Sequence, residues 1–560
     1  MQKIITLSLI SISLLFSAPV TIPNSSNILR EVQPPQDLPQ STIPLVEIGG
    51  VHKYAPAMLD DKSGKTLHVA HFKITGATHI DEQKLLNLIS SYKDKNLTFN
   101  QLQEAAEIIT KEYRQEGYLV ARAYIPVQDM HNEVLEIAVI EGHYGEFYLK
   151  NRSNVQDSRV QAILDEAKKD DAIRTNTLER SLLIINDTPG IEVTQADIKP
   201  GKEVGTSDFD VTVDPSKRYD GYVLGDNYGS RYTGYNRVMV GLNLNALAGI
   251  GDKLSFNGIV SSGSNLKNGS IYYAVPLLPN GLTAQIGYVK TTYVLSQEYA
   301  SLAPTGNMDS LEATLSYPII RTREHTMKVS STASFKHLKD YQQDQMISNK
   351  HENTINLSFS DLKNTHIFGY SAQISSGATF TVGNLKFIDD TSKNIDTLGV
   401  QTAGNFSKIG GFISVTTLLP KEFSLQTKVQ VQKALGHKNL DGSEDMSIGG
   451  INGVKLFPDS ELSAENGVIL NLGLFKELGV YKSLTNKLGV FYDAGTASLE
   501  NTSSDTTFKS RTLQDIGLGY FGSYQSFFAK AELARSVGGS YVTSEPRYTT
   551  RGLVQLGWIF

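Results

Sequence analysis

Two short stretches carry the residues whose types and spacing suggest chemistry, and that chemistry is electrostatic rather than covalent. The first is Gly449-Gly450-Ile451-Asn452-Gly453-Val454-Lys455-Leu456-Phe457-Pro458-Asp459-Ser460-Glu461. It is rich in glycine and charge, too polar to sit in lipid, and sets Lys455 between apolar neighbours. The second, Phe491-Tyr492-Asp493-Ala494-Gly495, is a strand-like segment with a single acid. Another strand-like run, Val468 to Leu474, lies between them. A loop offering a cation and a neighbouring strand offering an anion are what a lumen-inserted loop needs, because a charge held inside a channel wall must find a partner or be expelled toward water. The same residues also fit an exposed loop with a solvated lysine.

No catalytic constellation accompanies them. The sequence has no G-x-S-x-G, no H-E-x-x-H, no Walker loop and no dinucleotide fingerprint. His351-Glu352 stands in a polar stretch without a second histidine at metal-ligand spacing and reads as a solvated loop. Scattered acids further along read as lumen-facing charge rather than a catalytic pair. Cysteine is absent, which excludes disulfides, thiolate metal sites and a cysteine nucleophile. The expectation is therefore a protein that is not an enzyme and needs no cofactor and no metal. A net charge of −6 gives no reason to expect nucleic acid as a partner.

The elements that must position these charges are strands. Lys3 followed by the apolar run Ile4 to Phe16 reads as a secretory signal over residues 1–18, with the cleavage site left open by Phe16 and Pro19. No later stretch approaches about 18 consecutive apolar residues, so any membrane span must be built from strands. Residues 19–66 form a Pro/Ser/Gln-rich linker. Within it, Asn27 to Val32 has room for one or two helical turns before Pro34-Pro35, a short plug at most.

Residues 67–141 read β-α-α-β-β. Leu67 to Ile74 is a strand, Asp81 opens a helix, and Thr98 with Gln101 forms a capping box for a second helix. On that helix Leu102, Ala106, Ile109 and Tyr113 make one apolar stripe. Leu119, Ala121, Ala123 and Ile125 alternate as a strand, and Leu135, Ile137 and Val139 alternate again. Residues 142–216 repeat the order, with helices from Asp157 and Thr177 and strands from Ile191 and Phe209. Small modules of this kind expose sheet edges that can capture an extended chain. The strands holding Leu119, Ala121, Ala123 and Ile125, and Ile191 and Val193, are the expected client-binding positions.

From 217 to 560 the pattern becomes strand–turn–strand without convincing helices. Val238, Val240, Leu242 and Leu244 alternate, as do Leu282, Ala284, Ile286 and Tyr288, and Phe527, Ala529, Ala531 and Leu533, against polar residues between them. Segments of about ten residues, apolar outward and polar inward, are the signature of a transmembrane β-barrel with a wet lumen. With 26 tyrosines and 47 glycines but a mean hydropathy of −0.21, a helical membrane bundle is excluded. At roughly 20 residues per strand with its turn, about 16 antiparallel strands fit. The last of them ends on an apolar face with Trp558 and Phe560.

In this order the motifs G-G-x-N-G-V-K-x-F-P…E…G-V-I-L-N-L and F-Y-D-A-G, with Ile185 to Ile191, Gly225 to Gly234 and Gly249 to Asp252, resemble the outer-membrane transporters of two-partner secretion. Those transporters share a superfamily with the barrel-assembly insertases. The resemblance implies two POTRA-like periplasmic domains before a 16-stranded barrel whose inward loop, here near 445–466, brings its tip against a wall acid. It assigns the tip to Gly453, Val454, Lys455, Leu456 and Phe457 and the wall to Asp493 and Gly495. Lys455 stands where the family carries arginine, and loses the bidentate fork. The resemblance also implies a secreted partner protein (an adhesin, a cytolysin or a haem-binding exoprotein), outer-membrane lipid around the barrel, and Trp558 and Phe560 as a signal to the barrel-assembly machinery. An insertase, or less readily a passive diffusion channel, are the competing roles.

Overall fold

The computed structural model describes residues 23–29, 31–32, 48–49, 64–130, 132–502 and 508–560. The signal-peptide reading of 1–18 lies outside them. The 16 strands of the C-terminal part form one closed antiparallel barrel, running from Tyr219–Asp226 to Thr550–Ile559. Closure pairs the last strand with the first, Val223 opposite Trp558 and Leu224 opposite Gly557. Phe560 exchanges both backbone hydrogen bonds with Gly221, at 3.0 and 3.1 Å.

The period-two pattern decides which side chain meets lipid. Val238, Ile286, Phe335 and Ile355 are exposed on the outer face, while Glu352, Asp493 and Asp515 are fully buried on the inner one. Strand lengths depart from the ten-residue expectation. The eighth barrel strand, Gln345–Ile367, has 23 residues and the seventh, His325–Gln342, has 18, so the wall here is much taller than an apolar band requires. His351 and Glu352 therefore belong to a strand and not to a solvated loop. The stretch read as free of helix holds one, Asp390–Leu398, capped by Asp389 through Ser392 N at 2.7 Å.

The first small domain keeps the expected order with two refinements. Its leading strand breaks at Ala70 into Thr66–Val69 and His71–Thr75, and Lys95–Thr98 adds a short strand between the helices. The helix Phe99–Gln115 starts at the Thr98/Gln101 capping box and buries Leu102, Ala106, Ile109 and Tyr113. The second domain places Ile191–Pro200 and Thr206–Pro215 beside His143–Asn151 in one sheet, with helices Asp157–Glu166 and Thr175–Asp187 packed on it. It docks on one end of the barrel. Arg321 forms a bidentate pair with Asp187 at 2.7 and 2.8 Å, and Arg180 donates to the carbonyls of Pro318 and Asn280.

The linker supplies two further elements. A single helical turn, Ser25–Ile28, is capped by Asn24 and lies inside the barrel, starting two residues earlier than the sequence pattern placed it. Ile48–Gly49 pairs in parallel with Ala196–Asp197, adding a strand to the free edge of the second domain's sheet.

Candidate functional site

The loop between the eleventh strand (Phe423–Leu435) and the twelfth (Asn466–Tyr481) folds down into the barrel. It is longer than the 445–466 expected, because the chain leaves the wall at Gly436. Its tip is compact for local reasons. Gly450 takes a φ of +84°, Val454 N donates to Ile448 O at 2.8 Å, and Gly450 N donates to Phe457 O at 2.8 Å. A Cβ on Gly453 would collide with the Ile448 carbonyl, so the turn requires glycine there. Val454, Leu456 and Phe457 are fully buried and pack with Ile469, Phe491 and Leu513 of the wall. A Cβ on Gly495 would stand 2.5 Å from Ile448 Cγ2, so this glycine admits the loop to the wall.

Lys455 reaches the wall acid that the family resemblance assigned to it. Its Nζ lies 2.7 Å from Asp493 Oδ2 and 4.2 Å from the centroid of the Phe491 ring. Strand register adds two partners that no local pattern points to. Asn471 and Asp515 stand directly across from Asp493 on either side. Asn471 Nδ2 bridges Asp493 Oδ1 and the Gly453 carbonyl at 2.7 and 2.8 Å, and Asp515 accepts the Leu456 N–H at 2.6 Å. Burial opposes the Lys455 charge, but Asp493, Glu532 and Asp515 together hold its ammonium above the usual lysine range. Further along the loop, Glu461 pairs with Arg511 and accepts the Thr543 and Ser544 N–H groups at 2.9 Å.

A second set of charges ties the loop's stem to the opposite wall and to the helical turn. Lys336 bridges Glu352 and Glu444 at 2.7 and 2.8 Å, and Lys408 reaches Glu444 at 3.0 Å. Lys350 bonds Asp441 at 2.5 Å and Ser26 Oγ at 2.7 Å, while Ser26 donates to Asp441 at 2.7 Å. Ser25 N donates to Asp340 at 2.7 Å, and Ile28 packs among Tyr232, Leu266, Tyr293 and Tyr299. Helix and loop thus share the lumen and one buried carboxylate, Asp441. A sequence signal for part of this was the pair of charges at alternate positions, Lys350 and Glu352, though nothing local says which strand or loop they meet.

The expected client-binding side chains are not available. Ala121 and Ala123 are buried in the first domain's core, Ile191 and Val193 in the second's, and Leu119 and Ile125 pack against neighbouring clusters. The alternation that marked these strands marks their core-facing side. Moreover, the first of them is short, Arg122–Tyr124. What the second domain offers is backbone along Ile191–Pro200, where Ile48–Gly49 is now seated. Trp558 points outward and stacks on Phe527 at 6.2 Å, beside Phe560 at 4.6 Å.

Comparisons with known proteins agree with this architecture. Residues 205–520 match the model of the haemolysin secretion/activation protein family ShlB/FhaC/HecB, and residues 67–142 match the ShlB-type POTRA domain. The chain is 28% identical over 447 residues to the haem/hemopexin transporter protein HuxB of Haemophilus influenzae, covering 78% of this chain and 77% of that protein. It is 23% identical over 415 residues to the outer membrane transporter CdiB of Escherichia coli, 72% of this chain and 68% of that one. Among solved structures, CdiB from Escherichia coli superposes with a TM-score of 0.73 at 19% identity, covering 91% of this chain and 94% of that one. CdiB from Acinetobacter baumannii gives 0.64 at 15%, with 96% of both chains covered. The chain belongs to the haemolysin secretion/activation protein family ShlB/FhaC/HecB, and is an outer-membrane transporter of two-partner secretion whose POTRA-like domains face the periplasm.

Proposed function

We propose that the transporter takes an unfolded secreted partner from the periplasm through its own barrel, and that the helix Ser25–Ile28 and the inward loop are the obstruction that must leave. The observation that carries this is how the obstruction is held. Both pieces are tethered to the wall through hydrogen-bonded charges, Lys455–Asp493 and Lys350–Asp441–Ser26, in addition to the apolar packing at the loop tip. Tethers of that kind can be exchanged for water one at a time in a wet bore, whereas a wholly apolar plug would expose its entire face at once. The client first adds as a strand to the Ile191–Pro200 edge, displacing Ile48–Gly49, since backbone pairing is tolerant of sequence. The likeness to a haem/hemopexin transporter favours a haem-handling exoprotein as that client. Folding of the client outside supplies direction, and no catalytic step or cofactor enters. The barrel-assembly machinery inserts the barrel itself, reading Trp558 and Phe560.

The test is a deletion strain in which the exoprotein encoded nearest this gene is followed beside total outer-membrane barrel content. Loss of surface exoprotein with normal barrel content is expected. The reverse pattern would make the protein an insertase.

A further inference from the structure

Outside the lumen, the surface holds a second charged constellation that transport does not use. Strand register sets Lys290, Asp309, His337, His351 and Lys386 in one continuous row across the fifth to ninth strands. A parallel row one step further from the periplasm runs Lys267, Thr292, Asn307, Lys339 and Asn349. All of these side chains point outward, because their sequence neighbours Lys336, Lys350 and Glu352 point into the lumen. His337 and His351 meet edge to face at 4.3 Å, and Lys386 stands directly across from His351 on the next strand. Of the four lysines, Lys290 is paired, with Asp309 at 3.5 Å, and that acid also accepts from Tyr288. Among the described residues, no ion pair neutralises Lys267, Lys339 or Lys386. Like charges gathered on one face raise one another's energy unless an anion joins them.

The height of the rows says which anion. On the eighth strand, outward residues run from Asp361, opposite Met327 near the start of the seventh strand, through Phe359, Leu357, Ile355 and Asn353 to His351. Ten residues at about 3.3 Å each, on a strand tilted roughly 40°, climb about 25 Å, the height of a barrel's apolar band. His351 and Lys386 therefore stand at the outer leaflet's headgroups. One outward step beneath them stand Asn353, Asn384 and Asn405, and these together with Phe335, Ile355, Val382 and Leu435 line a groove of about 710 Å³ that turns apolar below the asparagines. On the far wall the corresponding outward positions carry mostly neutral side chains, Gln514, Thr496 and Thr512, with Arg535.

We propose that this face binds a phosphorylated, multiply acylated glycolipid of the outer leaflet. Its phosphates lie on Lys267, Lys339 and Lys386 with the two histidines, and an acyl chain fills the groove below. A groove of this size is within the range of pockets that hold small organic ligands. The lysines supply point charges for phosphate, and the outward asparagines Asn349 and Asn353 supply donors for a sugar. Such a ligand ties one side of the barrel, strands four to nine, to the membrane.

Binding of diphosphoryl lipid A to the full-length purified protein in detergent tests this, with phosphatidylglycerol and inorganic phosphate as the other probes. The triple variant Lys267→Gln/Lys339→Gln/Lys386→Gln is expected to bind lipid A about a hundredfold more weakly, and Lys386→Gln alone about fivefold, by the usual effect of a basic residue near an anionic lipid. Arg535→Gln, on the far wall, leaves binding unchanged, and replacing the three lysines by arginine retains it. Val382→Trp, which fills the groove but keeps every lysine, weakens lipid A binding. The proposal is overturned by triple-variant binding within about twofold of the parent, by equal affinity for phosphatidylglycerol, or by inorganic phosphate displacing the lipid at equal concentration. Should the triple variant fail to insert, Lys386→Gln and Val382→Trp decide, and unchanged binding in both rejects the site.

Discussion

The Lys455–Asp493 contact, at 2.7 Å, is expected to set how firmly the loop sits. Asp493 has no exposed surface, so in Lys455→Ala its carboxylate keeps Asn471 as donor and loses its cation. Removing one member of a buried pair typically costs about 3–5 kcal/mol. Single-channel recordings of Lys455→Ala are therefore expected to show frequent opening where the parent is mostly closed. Lys455→Arg should stay near the parent, because a guanidinium keeps the charge and also stacks on the Phe491 ring. The double variant Lys455→Ala/Asp493→Ala should cost clearly less than the two single changes summed, since neither charge is then left alone. Equal effects for alanine and arginine at 455 would show that the loop is held by its apolar tip. The residues alone showed a loop cation and a strand acid, each among apolar or small neighbours; that the two meet came from the family resemblance. Asn471 and Asp515 were not legible in the sequence, because which residues face each other across three strands depends on register.

Elements differ in how they answer acid. In the first domain, Glu141 accepts from Thr78 N, His79 N and Tyr113 Oη at 2.8, 2.9 and 2.7 Å, joining the leading strand's turn to the long helix. Burial works to raise its pKa, yet the Thr78 hydroxyl, the His79 backbone N–H and ring, and the Tyr113 hydroxyl outweigh burial and bring it from 4.5 down to about 2. A depressed carboxylate adds stability that is fully present above its unfolded value and is lost as pH falls toward the folded one. Between about pH 4.5 and 2 the domain should lose about 3 kcal/mol, read as faster amide exchange along Phe99–Gln115, and Glu141→Gln should flatten that dependence. The helix Ser25–Ile28 is held instead by Asp340 through Ser25 and by the Lys350–Asp441 pair through Ser26. Asp441→Asn leaves Lys350 without its anion and loosens the loop stem as well as the helix, so it should raise resting conductance more than Ser26→Ala, which removes the helix's contact but leaves Lys350–Asp441 in place. The capping box at Thr98 and the stripe on its helix could be read from the sequence because both are local. The strand through His351 could not. Above the apolar band its outward face is as polar as its inward one, so the period-two signal disappears while the backbone pairing continues.

At the scale of the molecule, the linker connects events at the two ends of the transporter. The same segment that places Ser25–Ile28 in the lumen also lays Ile48–Gly49 on the edge of the second POTRA-like domain. An unpaired strand edge invites added-strand pairing, so the linker protects that edge and, on the path proposed above, stands where the client would add. If arrival of a client displaces Ile48–Gly49, the freed linker can let the helix leave the lumen, and capture and opening become one event. The native chain has no cysteine, so a single engineered pair can test this without side reactions. Ile48 stands opposite Ala196, and Ile48→Cys/Ala196→Cys should form a disulfide between adjacent strands under oxidising conditions. Oxidised, this variant should insert normally and keep the parent's low resting conductance but secrete no client; a reductant should restore secretion. Full secretion by the oxidised form would place client capture elsewhere, because a covalently held linker cannot vacate the edge.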